Sequence, residues 1–155
     1  MLSRPAPPAS ALLRNEVKRP KQQRVLPTLD RSSDMRGRDA NDNGVRDDIE
    51  AYIVSLPITD AQNKAAMQTA RVQQRSLLID LLDKAAVQAL GDASMAATAC
   101  IGDRFEPDRR RSYEISEKIE AITANTPERA RRYMQYMAAL SGTSTAYPEG
   151  DTCEK

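Results

Sequence analysis

Histidine and tryptophan are absent from this 155-residue chain, and phenylalanine occurs once, as Phe105. Without histidine there is no Ser-His or Cys-His pair, no usual general base near neutral pH and no common zinc ligand set. A core has to be built from Leu, Ile, Met, Ala and Tyr. Long apolar runs are missing too. Nothing approaches the ~20 residues that cross a bilayer, so no membrane insertion is expected. Ala11-Leu12-Leu13 is too short for the apolar centre of a signal peptide. If the protein is exported, the sequence reads as a mature form with an added Met1; a cytosolic chain with reduced cysteines is the alternative. A net charge of +1 provides no global field for nucleic acid, and none is expected as a partner.

Cysteine is scarce: Cys100 and Cys153 are the only two. They lie too far apart for a CxxC redox motif. Two cysteines admit either a disulfide or two buried thiols. Cys153 sits in a polar tail, Pro148-Glu149-Gly150-Asp151-Thr152-Cys153, which has no reason to bury a thiol. A bridge to Cys100 would pin that tail to a helix. Closing a loop of this length stabilises by roughly 4 kcal/mol in the chain-entropy model. Such a bridge belongs to an oxidising compartment, here periplasmic or extracellular.

Charge is balanced overall but not locally. Residues 1–31 carry seven basic and two acidic side chains, a surplus of +5 that leaves −4 for the remainder. Five of the nine prolines also fall there, so this stretch reads as an extended or disordered basic arm. Residues 32–155 are expected to form the folded domain.

One segment carries most of the functional information. Asp39-Ala40-Asn41-Asp42-Asn43-Gly44-Val45-Arg46-Asp47-Asp48-Ile49-Glu50 meets the pattern D-x-[DN]-x-[DN]-G-x5-E at every defined position. Calcium takes six to eight oxygen ligands in flexible geometry. Asp39, Asn41 and Asn43 supply side-chain oxygens at positions one, three and five. Gly44 makes the sharp turn, and Val45 offers its backbone carbonyl. Asp47 can act through a water, and Glu50 can close the shell with two oxygens. The plainer alternative is a polar turn, with Asn43-Gly44 left-handed and Asp47 or Asp48 capping the next helix.

These residues resemble an EF-hand loop, and more closely the loop-plus-one-helix variants of dockerin-type modules and of many bacterial envelope proteins. The resemblance covers about a tenth of the chain. It implies one Ca2+ held by the six positions just named. The exiting helix is present, with Ile49, Tyr52, Ile53 and Leu56 on one face. The preceding residues, Arg31 to Arg38, lack the apolar stripe of an entering helix. Position eight is Arg46, where a paired EF-hand carries an apolar residue for loop-to-loop pairing. No second such loop occurs, which argues against a paired sensor or a complete dockerin. Three formal negative charges without a partner loop imply modest affinity, roughly 0.1–1 mM as in extracellular modules.

The rest reads as helix. Thr59 and Gln62 form a capping box, and a helix follows to Leu90, with Gly91 as its C-terminal cap. Unbroken, it would be about 46 Å long. Asp92 caps a shorter helix through Cys100, and Gly102 and Pro107 bound a loop. A further helix starts near Ser112, with Ile115, Ile119 and Ile122 on one face. Thr126-Pro127-Glu128 restarts the chain as a last helix, which carries Tyr133, Tyr136, Met137 and Leu140 on one stripe and stops at Gly142. No segment alternates with period two. The expected fold is all-α, about five helices in one bundle-like domain preceded by the arm and the calcium loop.

Other candidates carry plainer readings. Arg109-Arg110-Arg111 could grip phosphate, but Asp103, Glu106 and Asp108 interleave with them and blunt the field. The Tyr133, Tyr136 and Met137 stripe could be an exposed binding face, and core packing is the plainer account. Asp80 and Asp83 could pair as acid and base, but no motif supplies a cleft. No enzyme is therefore expected. The expectation is an exported calcium-binding protein that acts by binding another protein, as an immunity or inhibitor protein does against a secreted toxin. A dockerin-like assembly module or envelope scaffold is the alternative. Oligomeric state is left open.

Overall fold

A computed structural model describes residues 28–155. The described part is all-α, with helices α1 (Asp47–Val54), α2 (Asp60–Ser76), α3 (Lys84–Arg104), α4 (Arg109–Thr123) and α5 (Pro127–Leu140). The expected arm lies outside the described residues up to position 27. Its last residues, 28–31, belong to the folded body: Leu29 packs on the core, and the Asp30 main chain is held by Asp48 and Arg129.

α2 and α3 form an antiparallel hairpin at the centre. Gln62 at the start of α2 donates to the Arg104 carbonyl at the end of α3, at 3.1 Å. α1 and α4 pack at one end, where Val45, Ile49 and Ile53 meet Ala65, Ala66 and Ala70 of α2 and Ile115, Ile119 and Ile122 of α4. Cys100, Ile101 and Phe105 complete this larger core. α5 covers the other end, where Tyr136 packs with Val72, Val87, Leu90 and Ala97. Small residues along α2 and α3 let the two backbones approach closely.

The helix starts follow local sequence. The Thr59–Gln62 capping box closes reciprocally, with Gln62 N–H on Thr59 Oγ1 at 3.2 Å and Thr59 N–H on Gln62 Oε1 at 3.0 Å. Thr126 caps α5 through the Arg129 N–H, with Pro127 in the first turn. α4 starts at Arg109, a turn earlier than expected, capped by Asp108.

Three boundary expectations fail between α2 and α4. The continuous helix from 60 to 90 is broken at Leu77–Asp83, and Gly91 and Asp92 lie inside α3 rather than at a boundary. Asp80 accepts the Leu82 N–H and Asp83 the Ala86 N–H, both at 2.9 Å. Short acidic side chains that bond nearby N–H groups compete with helix, and Asp83 becomes the cap of α3. Arg132 of α5 donates to the carbonyls of Leu77 and Ile79, satisfying groups that the broken helix leaves free. Gly91 serves packing instead of capping. A Cβ there would sit 2.9 Å from Leu140 Cδ2, so the glycine admits α5. Gly102 likewise lies within α3 instead of bounding a loop.

Candidate calcium loop and its anchor

Residues 39–50 fold into a closed loop leading into α1. The Asp47 N–H donates to the Arg38 carbonyl at 2.8 Å and closes the ring. Asp39 turns inward: Oδ1 accepts the Asn43 N–H at 3.2 Å and Oδ2 the Gly44 N–H at 2.9 Å. Asn43 Oδ1 accepts the Val45 N–H at 2.9 Å. Gly44 has φ +82°, a conformation that glycine adopts without a Cβ penalty. Asp42, at φ +54°, is the chain's other left-handed position in this loop.

The side chains of the third, fifth and twelfth positions converge. Asn41 Nδ2 lies 3.2 Å from Glu50 Oε2, and Asn43 Nδ2 lies 3.1 Å from Glu50 Oε1. Asp39 joins them through the Asn43 main chain. Val45 buries its side chain completely in the core, leaving only its main chain to the loop. Asp47 is already engaged: Oδ1 accepts the Ala40 N–H at 2.9 Å, and Oδ2 sits 3.2 Å from Arg38 Nε. Among the described residues, no three Asp, Glu, His or Cys side chains gather where one ion could be held. The loop's donor set is two inward carboxylates, Asp39 and Glu50, and two amides.

Directly behind the loop sits an anchor that sequence reasoning missed. Arg46 is 1% exposed. Its guanidinium holds Asp48 at 2.6 and 3.0 Å and donates to the carbonyls of Ile122 at 2.7 Å and Thr123 at 3.4 Å. These are free carbonyls at the C-terminal end of α4, where the helix dipole favours a cation. Arg129, also 1% exposed, donates to the carbonyls of Asp30 and Asp34, both at 2.6 Å. Asn125 bridges the two arginines through Oδ1. The chain crosses this pair at Gly37, where φ is +68° and a Cβ would collide with Arg46 Cδ. The available signal was a charged residue at the loop's normally apolar eighth position. Nothing local marks Arg129 as buried.

The Ser32 hydroxyl, then the main-chain N–H groups of Arg38 and Ser32 and the Arg129 guanidinium, hold Asp30 well below the usual carboxylate range against the opposing effect of burial.

The C-terminal tail is fixed from the other side. Cys100 and Cys153 form a disulfide, with their Cα atoms 4.9 Å apart. Asp80 and Asp83 are the local caps described above. The arginine run is dispersed: Arg109 pairs with Glu106 and Arg110 with Glu114. The α5 stripe divides, with Tyr136 buried and Met137 46% exposed. Among the described residues no helix is long and apolar enough to cross a membrane. Comparison with protein-family models, with curated proteins and with solved structures found no match.

Proposed function

We propose that residues 39–50 bind one calcium ion and that the chain is an exported, calcium-clipped protein acting by binding another protein. The observation that carries this reading is the convergence of Asn41 and Asn43 on Glu50, beside an inward Asp39. Asp39, Glu50, the two amide oxygens and the Val45 carbonyl would hold the ion, and Asp47 would act through a water. The donors are all oxygen, which suits a hard cation. The two amides now turn nitrogen toward Glu50 while their oxygens accept the Asn43 and Val45 N–H groups; bringing those oxygens to an ion would need a turn of each side chain that gives up or shares these bonds. Calcium would then replace hydrogen bonds that the loop makes without it.

The ion's role here is a clip. α1 spends Ile49 and Ile53 on the core, and Val54 is its one large apolar side chain left exposed. That favours a structural site over a dockerin-like module, whose exit helix would face a partner. The disulfide supports an oxidising compartment, periplasmic or extracellular. A rigid helical body with both ends fastened suits an immunity or inhibitor protein acting on a secreted toxin, and equally an envelope scaffold.

Calorimetric calcium titration, with thermal melts in calcium and in chelator, tests the site. One ion should bind per chain, and Glu50→Ala should abolish binding. At 100 times its dissociation constant, calcium should add about 2.7 kcal/mol of stability. Absence of both heat and melting shift in the wild-type protein would sink the calcium reading and reduce the loop to a polar turn.

A further inference from the structure

α4 and α5 pack on α2 and α3 rather than on each other. Between them lies an open groove of about 810 Å3, within the range of small-molecule sites. Four of the chain's five tyrosines line it: Tyr113, Tyr133, Tyr136 and Tyr147. Its floor is apolar, with Val72, Ala97 and Ile101.

Two polar atoms in this lining have no partner. Tyr136 is 3% exposed, and its hydroxyl makes no hydrogen bond. Neighbouring Ser94 donates its own hydroxyl to the Leu90 carbonyl. Gln73 Oε1 is buried and equally unpaired. Unsatisfied buried polar groups are costly, and a small rotation of either side chain toward the groove would let a bound molecule supply the missing partner. The carboxylates in the lining outnumber its basic groups, with Arg75 standing outside the lining near Tyr136. Glu117 and Glu120 line the groove, and the one basic residue in the lining, Arg109, is paired with Glu106. Tyr133 donates to Glu120 at 3.1 Å, and burial, reinforced by that carboxylate, keeps the phenol a neutral donor.

We propose that this groove binds an organic ammonium ion, a protonated primary amine on an apolar chain. Tyrosine faces attract cations. Glu117 and Glu120 offset the charge, and Gln73 Oε1 accepts an N–H. The apolar chain covers Val72, Ala97 and Ile101. A carboxylate in the same place would meet two like charges. A neutral alcohol would leave both glutamates without a counter-charge. No residue of the calcium loop lines the groove, so this site stands or falls independently of calcium.

The absence of tryptophan makes tyrosine the intrinsic fluorophore, and most of the tyrosines report from the groove. Hexylammonium, hexanol and hexanoate, titrated against the full chain at pH 7, separate the alternatives. Hexylammonium should change tyrosine emission saturably and bind about tenfold more tightly than hexanol, with hexanoate weakest. The double variant Glu117→Gln, Glu120→Gln should lose that preference while hexanol affinity stays the same. Both glutamates are exposed, and an unchanged melting temperature checks the fold. Gln73→Met, which removes the acceptor at similar volume, should weaken hexylammonium binding without lowering the melting temperature. No saturable binding, equal affinity for the three probes, or a double variant that keeps the preference would each overturn the proposal.

Discussion

The two ends of the described chain are fastened to the same helical body by different means. Residues 28–38 are held by charge and hydrogen bonds, directly by the buried Arg129 guanidinium and indirectly by Arg46, whose partner Asp48 accepts the Asp30 N–H. Residues 151–155 are held by a covalent bond to Cys100, with hydrogen bonds and two largely exposed ion pairs, Arg104–Asp151 and Arg71–Glu154, around it. The first fastening depends on many partners being present together, because each buried charge is costly once its partner leaves. The second depends chiefly on one bond and on the redox state around it, because exposed ion pairs contribute little. The N-terminal end should therefore respond to acid and to single substitutions, and the C-terminal end to reductant.

The largest effect is expected at Arg46. Arg46→Ala strands Asp48, which is 6% exposed, and frees the carbonyls at the end of α4. Losing one partner of a buried pair costs about 3–5 kcal/mol, and urea unfolding should show it. A loss below about 1 kcal/mol would mean that the pair is a surface-type contact, and the contrast between the two ends would collapse. Next comes the disulfide. Cys100→Ala with Cys153→Ala should cost about 2–4 kcal/mol, and the same loss should appear when reductant is added to the wild type. Reductant should leave the Arg46 penalty unchanged, since the two fastenings share no residues.

A smaller effect sharpens the electrostatic half. Asp30 is stabilised as the anion in the fold, so its folded pKa lies below its unfolded value of about 3.9. Its contribution is whole above that unfolded value and fades as pH falls through the lower folded one. Asp30→Asn should cost about 1.5–3 kcal/mol at pH 7, the range for hydrogen bonds to a charged group. The gap between variant and wild type should narrow as the pH drops below about 4. A gap that stays constant down to pH 2 would show that the ionised carboxylate is not what holds this segment.

How much of this was readable beforehand depends on how local each cause is. The capping box at Thr59, the Thr126-Pro127 start and the Ile115, Ile119 and Ile122 face are set by neighbours within a turn, and the structure keeps them. The disulfide followed from a cysteine in a tail with nothing to bury it. The break at Leu77–Asp83 was hidden because its sequence is rich in helix-forming leucines. Its cause is partly remote, since Arg132 of α5 takes two of the freed carbonyls. Gly91 looked like a cap because only the packed structure shows Leu140 against it. In the candidate loop, Asn41 and Asn43 meet Glu50, while Asp47 is taken up by the Ala40 N–H and Arg38. The loop's support is Arg46 and Arg129, whose burial depends on Asp30, Asn125 and the end of α4, brought together across some eighty to a hundred residues of chain.

The finest test concerns which contact comes first at the C-terminal end. Gln68 is 5% exposed and pairs with the tail in both directions. Its Nε2 donates to the Thr152 carbonyl, and its Oε1 accepts the Glu154 N–H, both at 3.0 Å. Taken alone, these bonds could hold the tail without the disulfide. The tail is otherwise polar, however, and a short coil gains only about 1 kcal/mol per hydrogen bond against the entropy of being ordered. The covalent bond removes most of that entropy beforehand. Gln68→Ala should therefore cost about 1 kcal/mol in the oxidised protein and close to nothing once the disulfide is reduced, because the tail has then already left. Urea melts of the wild type and Gln68→Ala in both redox states complete the cycle, and the coupling energy is the quantity of interest. An equal cost in the two states would show that the tail stays docked without its bond. The C-terminal end would then be held, like the N-terminal one, by polar contacts, and the disulfide would only reinforce them.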